Sequence, residues 1–451
     1  LSYIKACVKP ENIVYRNDNY FNNIYSRSRL SYYLAQKIYD IRSKANIASK
    51  EKAFVLGLYN YLEEKDDYQG LVKAIDEAQT YNGKDNLPRE LAMSLYDNLS
   101  SVSISQIETF QRCPYKHFID YGLNPRREND FYVNNLDIGN IIHKSVSSFT
   151  KNHLKKKDIK VLEMEEIKSL TQKDFEKSLQ LNVDDYKRED PKNEFFLELT
   201  KDSLDLSCYE ITKQLALSKP DVIRDEERFG RNLIYDAITF ELDQDIEVNI
   251  EGIIDRIDEF NIENKKYLRV IDYKTGNKVF DINRVYNGLD IQLIIYLGAL
   301  VDGRDYLPIG AFYIPLNGDF SVDYTVEDED LAQAISDEFK LRGIMIDQRE
   351  ILSKIDASFC FVKEKPESAL VEFKGRKKKL EDKENVVSMT FMLGLIDHVK
   401  SLVEESLKKI QRGNIAVKPY RMDKELACSY CEYRGICKFE NKNFRYINKC
   451  D

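Results

Sequence analysis

The chain has 451 residues, 43% hydrophobic and 32% charged, with 68 Lys+Arg against 77 Asp+Glu for a net charge of −9. This balance excludes a mostly disordered chain, and the absence of any run near about 18 apolar residues excludes a membrane-spanning helix. The acidic total excludes a globally basic nucleic-acid binder but leaves room for a local basic channel.

Residues 1 to about 100 read as helical and charged. Apolar positions between Leu30 and Leu62 recur at mixed spacings of three and four, the period of amphipathic helices, and no catalytic motif falls there. Ser105-Gln106-Ile107-Glu108 has a capping-box pattern and predicts a short helix limited by Pro114. Helical patterns follow over 137–155 and, long and charged with few breakers, over 161–218. The texture changes after Lys219-Pro220. Residues 246–257 alternate and are rich in Val and Ile, which predicts a strand; 267–274 predict another, with Asn264-Lys265 in a hairpin turn between them. Residues 290–300 read as a helix, 309–316 as a third strand, and 385–411 mainly as a long helix ended by Gly413. No GxxxxGK[ST] loop is present, so the sequence shows no P-loop site for ATP hydrolysis.

The most informative stretch runs Gly252-Ile253-Ile254-Asp255-Arg256-Ile257-Asp258, then Val270-Ile271-Asp272-Tyr273-Lys274-Thr275-Gly276. Side chains on a strand alternate faces, so Asp272 and Lys274 project to one side beside Leu268 and Val270. Charges at the end of an apolar face are costly to bury without partners or a function. If the two strands pair, Asp255 comes near Asp272, and a divalent cation relieves the repulsion between two close carboxylates. Oxygen ligands favour Mg²⁺ or Mn²⁺, and such a site suits phosphodiester hydrolysis, with Lys274 orienting water or stabilising the developing phosphorane charge. A lone D-x-K triplet is more often an edge-strand salt bridge. Gly139-Asn140-Ile141-Ile142-His143 adds a glycine that permits close backbone approach and an imidazole able to ligate the metal. Gln292 and Tyr296 share a helix face and can bond a DNA phosphate or position Lys274. Taken singly, His143 reads as an ordinary histidine and Gln292/Tyr296 as a polar stripe.

The order GxxxH, GxxDRxD, DYKTG, QxxxY makes the set specific. In it the sequence resembles the RecB-type branch of the PD-(D/E)XK nucleases. The resemblance implies an α/β fold: a nuclease core of mixed sheet flanked by helices. It further implies His143, Asp255 and Asp272 as metal ligands, the Tyr273 carbonyl as a further one, Lys274 as the catalytic lysine, and Gln292 and Tyr296 as the supporting motif. All these positions are intact, which argues for an active deoxyribonuclease.

Three thiols crowd the C-terminus as Cys428-x₂-Cys431-x₅-Cys437, while Cys7, Cys113, Cys208, Cys360 and Cys450 are scattered. With no signal-peptide pattern, the clustering points to a metal site in a reducing, cytoplasmic setting. A tetrahedral centre wants a fourth ligand; Cys113 and Cys450 compete for that place, and zinc and iron–sulfur are both admissible. One upstream cysteine in Cys113-Pro114-Tyr115-Lys116-His117-Phe118, then C-x₂-C-x₅-C after the nuclease motifs, resembles the iron–sulfur nuclease domain of the AddB family of bacterial helicase–nuclease subunits. By that resemblance Cys113, Cys428, Cys431 and Cys437 hold a structural [4Fe–4S] cluster that staples a C-terminal tail, and the other four cysteines are ordinary thiols. It also implies that residues 101–451 are the nuclease domain and residues 1–100 the end of a preceding helicase-like region. The start at Leu1 fits a piece of a longer polypeptide.

The resemblance implies single-stranded DNA as substrate, delivered by an AddA-type helicase partner, in double-strand break repair and recombination. Some of the 29 Tyr and 22 Phe would stack on bases, although most such rings pack cores. Lys155-Lys156-Lys157 and Arg376-Lys377-Lys378-Lys379 are candidates for a strand channel, against the commoner reading of solvated loops. Two rival readings are a free-standing RecB-like iron–sulfur exonuclease and a non-catalytic iron–sulfur scaffold. The helical leader disfavours the first, and the intact Asp255, Asp272, Lys274 set disfavours the second.

Overall fold

The computed structural model describes residues 27–42, 48–80, 85–96, 99–125, 133–154, 159–188, 190–243, 246–276, 278–316, 328–423, 425–437, 439 and 444–447. The chain divides into two compact units, Leu1–Lys84 and Asp85–Asp451. In the first, helices α1 (Arg27–Arg42), α2 (Ser49–Glu63) and α3 (Asp66–Thr80) follow one another. Leu30, Leu34 and Ile38 recur every fourth residue, so they share a face, and they meet Val55, Leu62, Val72 and Ile75 in a small core of their own. Among the described residues no helix is long and apolar enough to cross a membrane.

The second unit opens with α4 (Arg89–Leu95), which packs on a later long helix, while Leu87 N–H bonds to the Gly413 carbonyl. Strand β1 (Ser101–Ser103) leads into α5 (Ile104–Arg112). The reciprocal cap of α5 joins Ser103 and Gln106, two residues earlier than the Ser105/Glu108 pair expected from the sequence. Helix α6 (Asn135–His153) is capped by Asn134 and Asp137. The helical stretch predicted over 161–218 is interrupted: α7 (Met164–Asn182) ends at Val183, and α8 (Pro191–Ser218) starts afresh with Asp190 as its cap and Pro191 in its first turn, a position that suits proline.

Strands β2 (Val222–Phe229), β3 (Ile238–Leu242), β4 (Ile246–Ile262) and β5 (Lys265–Lys274) follow, then α9 (Gln292–Val301), β6 (Tyr306–Pro315), β7 (Arg342–Ile346), β8 (Val386–Val387) and α10 (Met389–Gln411). The long β4 organises an eight-stranded mixed sheet. Its first part pairs with β1 and β3, its second with β2 and β5, and the sheet continues β5-β6-β7-β8. The turn between β4 and β5 is Glu263-Asn264, both with positive φ (52° and 63°), and Lys265 is already paired with Ile262. Positive φ at both central residues is what a tight two-residue hairpin requires. The β5–β6 pair is parallel, with α9 as the crossover. Helix α9 packs on β5, β6 and α10; α6 packs on β2 and β4 and against α7 and α8. A continuous apolar core runs from Val102 and Phe110 through both strand and helix layers to Ile410. A small three-stranded sheet, β9 (Tyr420–Met422), β10 (Glu425–Leu426) and β11 (Arg445–Tyr446), forms in the tail.

Candidate active site

The β4–β5 hairpin brings the two motif carboxylates together. The last backbone pair in its ladder is Arg256–Ile271, so the next position sets Asp255 opposite Asp272. There the strands part, and the Asp255 carboxylate accepts the Tyr273 N–H at 2.7 Å. Two residues along the same face of β5, the Lys274 ammonium pairs with the Asp272 carboxylate. Asp272 is only 2% exposed. Burial, and then the Asp255 charge, push it up to about 6, although Lys274 opposes this. Lys274 is itself held above its ordinary value: burial works to lower it, and Asp272, then Asp255, outweigh that.

Helix α6 supplies His143, whose Nδ1 lies 3.3 Å from Asp255 Oδ2. Burial disfavours its charged form, but the contacts with Asp255 and the Asp272 charge prevail and raise its pKa. Gly139, one turn earlier, faces Thr275 of the β5 end; a Cβ there would lie 3.6 Å from Thr275 Oγ1, so the close approach leaves room for a methyl group. Helix α9 starts at Gln292, whose Oε1 accepts from Lys274 Nζ at 3.3 Å and whose Nε2 donates to the Tyr296 hydroxyl at 2.8 Å. Tyr296 packs edge-on against Phe229. Both rings crowd Gly252, where a Cβ would stand 2.7 Å from Phe229 and 3.2 Å from Tyr296. The first residue of GxxDRxD is therefore glycine because two rings occupy the space of a side chain.

Beneath the site lies a buried charge network. Arg256 and Asp258 form a two-pronged pair (2.7 and 2.8 Å), and Arg269 donates to Asp258 at 2.8 Å and to Ser218 at 2.9 Å. All three charged residues are at most 1% exposed. Burial would raise the Asp258 pKa, but the two guanidinium groups win and hold it below the usual carboxylate range. The second aspartate of the motif thus braces the strand that carries the first.

Several residues of the site escape the sequence motifs. Glu108 on α5 accepts the Gln292 backbone N–H at 3.2 Å. Tyr313, opposite Asp272 on β6, is 1% exposed, and the ammonium groups of Lys274 and Lys278 lie 5.8 and 5.0 Å from its ring centre. Lys278 also pairs with Asp290 at 3.2 Å. The sequence offered only one hint of Glu108, its place in a capping-box pattern, and that pattern assigned it elsewhere.

The tail returns to the start of the unit. Cys113, Cys428, Cys431 and Cys437 line one cavity of about 570 Å³, together with Arg112 and Tyr433. Tyr433 donates to Asp120 at 2.6 Å, Tyr115 N–H bonds to the Ala416 carbonyl at 3.2 Å, and Arg445 bonds to the Gln111 carbonyl. Burial, then the three neighbouring thiols, push Cys428 up to about 11. Cys208 is fully buried in the core and Cys360 is exposed; Cys7 and Cys450 lie outside the described residues, as does the Lys155–Lys157 run. Arg376 to Lys379 are exposed on a loop.

Among the described residues, no three His, Cys, Asp or Glu side chains are gathered tightly enough to hold a metal ion as they stand. The donor chemistry nevertheless fits the expected groups. One imidazole and two mutually repelling carboxylates suit a hard divalent cation. Four thiols around one cavity, each disfavouring the next one's ionisation, suit a cluster whose positive charge offsets them.

A polar pocket with paired aspartates and a lysine at the end of a β-hairpin, inside a helix-flanked mixed sheet, defines a nuclease core. Residues 101–438 match the family model of the PD-(D/E)XK nuclease superfamily, and the chain belongs to that superfamily. Its curated relatives include proteins named as the AddB-type subunit of an ATP-dependent helicase/deoxyribonuclease. The one from Thermoanaerobacter sp. (strain X514) is 28% identical over 420 residues, 90% of this chain and 35% of that protein. That from Clostridium perfringens (strain SM101 / Type A) is 27% identical over 381 residues (80% and 32%), and that from Alkaliphilus metalliredigens (strain QYMF) 28% over 367 (78% and 31%). The chain spans about a third of the length of the curated relatives it matches. The superfamily implies a divalent metal at the site.

Proposed function

We propose that this chain carries the nuclease of an AddAB-type helicase–nuclease, hydrolysing phosphodiester bonds of single-stranded DNA that an AddA-type partner helicase delivers during cytoplasmic double-strand break repair and recombination. The observation that carries the reading is the unbroken set of contacts from His143 through Asp255 and Asp272 to Lys274, Gln292 and Tyr296.

His143, Asp255, Asp272 and the Tyr273 carbonyl are the residues that would hold Mg²⁺ or Mn²⁺, which supplies Lewis acidity to the scissile phosphate and to the attacking water. Asp255 also fixes the end of β5 through the Tyr273 N–H, so the ligand-bearing backbone and Lys274 keep one geometry. Lys274 lies at the end of that strand with a retained positive charge, placed to orient water or to neutralise charge that develops on the phosphate. Gln292 accepts from Lys274 and donates to Tyr296, which limits the ammonium to few orientations and reduces reorganisation during the reaction.

Cys113, Cys428, Cys431 and Cys437 would hold a [4Fe–4S] cluster with a structural role, because phosphodiester hydrolysis transfers no electrons. It would fasten the tail to the segment that follows α5, where the Tyr433–Asp120 and Arg445–Gln111 bonds already run.

The test is degradation of a labelled single-stranded oligonucleotide by the chain, titrated with Mg²⁺ and with Mn²⁺ and repeated for Asp272→Ala. Metal-dependent cleavage lost in the variant is the expected result. Tight oligonucleotide binding with no cleavage under any divalent ion would replace the nuclease with the scaffold reading.

A further inference from the structure

We propose that Glu108 is a positioning residue for the cleavage site: it holds the first turn of α9 so that the Gln292 amide faces Lys274. The proposal rests on the nuclease reading and extends it to a residue outside the four motifs.

The first N–H groups of a helix have no partner within it. The residue preceding α9 is Ile291, whose side chain accepts no hydrogen bond and caps nothing. The missing acceptor comes from a helix 184 positions earlier in the chain, as the Glu108 carboxylate takes the Gln292 N–H at 3.2 Å. A carboxylate there also meets the positive end of the helix dipole. Glu108 is available for this because the local cap of α5 is made by Ser103 and Gln106.

Gln292 is then held at three points. Its backbone N–H is bound by Glu108, its Oε1 by Lys274 and its Nε2 by Tyr296. Rotation of the first turn of α9 would misplace the amide relative to Lys274. The approach to α9 is equally confined on the α5 side: Gly288 has φ +79°, and a Cβ on it would lie 2.8 Å from Gln111. The Glu108 charge reaches Lys274, Tyr296 and Tyr313, so the residue faces the site rather than solvent.

The experiment is steady-state kinetics on single-stranded DNA with Mg²⁺ for the full chain, Glu108→Ala, Glu108→Gln, Glu108→Asp, Gln292→Ala and the double variant Glu108→Ala/Gln292→Ala, together with hydrogen exchange at the Gln292 amide. Glu108→Ala should lower kcat roughly 10–100-fold with little change in KM, as expected for a misplaced group near the reacting centre. Glu108→Gln keeps a carbonyl acceptor of the same reach and should rescue. Glu108→Asp is too short and should not, which decides the matter even if the alanine variant fails to fold. Glu108→Ala should cost nothing further once Gln292 is alanine. The Gln292 amide should exchange slowly in the parent and in Glu108→Gln and quickly in Glu108→Ala and Glu108→Asp. Independent, multiplicative losses in the double variant, or unchanged amide protection in Glu108→Asp, would overturn the proposal. An inactive parent chain whose Gln292 amide still depends on Glu108 would remove the nuclease reading and leave the positioning contact standing.

Discussion

Asp255 stands one position beyond the last backbone pair of the β4–β5 ladder, and its carboxylate takes the Tyr273 N–H that a further ladder bond would otherwise satisfy. One side chain therefore serves both the strand and the chemistry. The two roles separate by substitution. Asp255→Asn keeps an oxygen for the Tyr273 N–H, whereas Asp255→Ala leaves that donor without its partner, at a cost of about 1–3 kcal/mol. Both variants should lose DNA cleavage by roughly 10²–10³-fold. Denaturant unfolding should show only the alanine variant markedly destabilised; equal stability of the two would contradict the strand role.

The Asp258 carboxylate is buried between Arg256 and Arg269. Burial alone would raise its pKa, but the two guanidinium groups more than offset this, so the folded value lies below the unfolded one. A carboxylate with a depressed folded pKa contributes stability that is complete above the unfolded value, about 3.9 for Asp. That contribution is lost as pH falls through the folded value. Asp258→Asn leaves two buried cations with no anion and should destabilise by about 3–5 kcal/mol at pH 7. The gap between variant and parent should narrow as the pH drops below about 4. Urea unfolding at both pH values measures it, and a gap independent of pH would show that packing rather than charge is what Asp258 supplies.

The sequence displayed the hairpin and its chemistry because Val270, Asp272 and Lys274 alternate cleanly with buried neighbours. It hid the far end of β4, since Asp258 and Glu259 break the apolar pattern; in the fold both are buried by arginine partners, Arg256 and Arg269 for one and Arg224 for the other. Strand β2, with Arg224, Asp225, Glu226, Glu227 and Arg228 in eight residues, was hidden for a similar reason: a strand along one flank of β4 needs little apolar signal. Asn264-Lys265 was one residue out as a turn because positive φ at Glu263 carries no local residue signature. The motif residues of the site were readable one by one, but Glu108 was not, because its partner is a backbone N–H with no sequence label.

The four thiols around the tail cavity predict a protein whose colour and stability change together. If Cys113, Cys428, Cys431 and Cys437 bind iron, the purified chain absorbs near roughly 400 nm. Cys113→Ser should remove that absorbance and lower the melting temperature, since it releases the tail from the segment after α5. Cys360→Ser alters an exposed thiol outside the cavity and should change neither. A colourless parent that retains stoichiometric zinc would assign the cavity to a different metal. Loss of colour without loss of stability would deny it the fastening role.

Gly252 makes the sharpest steric prediction. A Cβ at this position would stand 2.7 Å from the Phe229 ring and 3.2 Å from Tyr296. The backbone here belongs to β4 and pairs with Phe229 on β2, so neither strand can withdraw without loss of ladder bonds. Gly252→Ala should therefore push the rings, and overpacking of this kind costs about 1–3 kcal/mol. Tyr296 is the softer neighbour only at the expense of its bond to Gln292, so kcat should fall along with stability. Phe229→Leu removes the nearest ring atoms and should restore much of both in the double variant. Thermal melts and initial rates of oligonucleotide cleavage on the two single variants and the double one decide the matter. A double variant no better than Gly252→Ala alone would mean that the glycine serves the backbone rather than the space beside it.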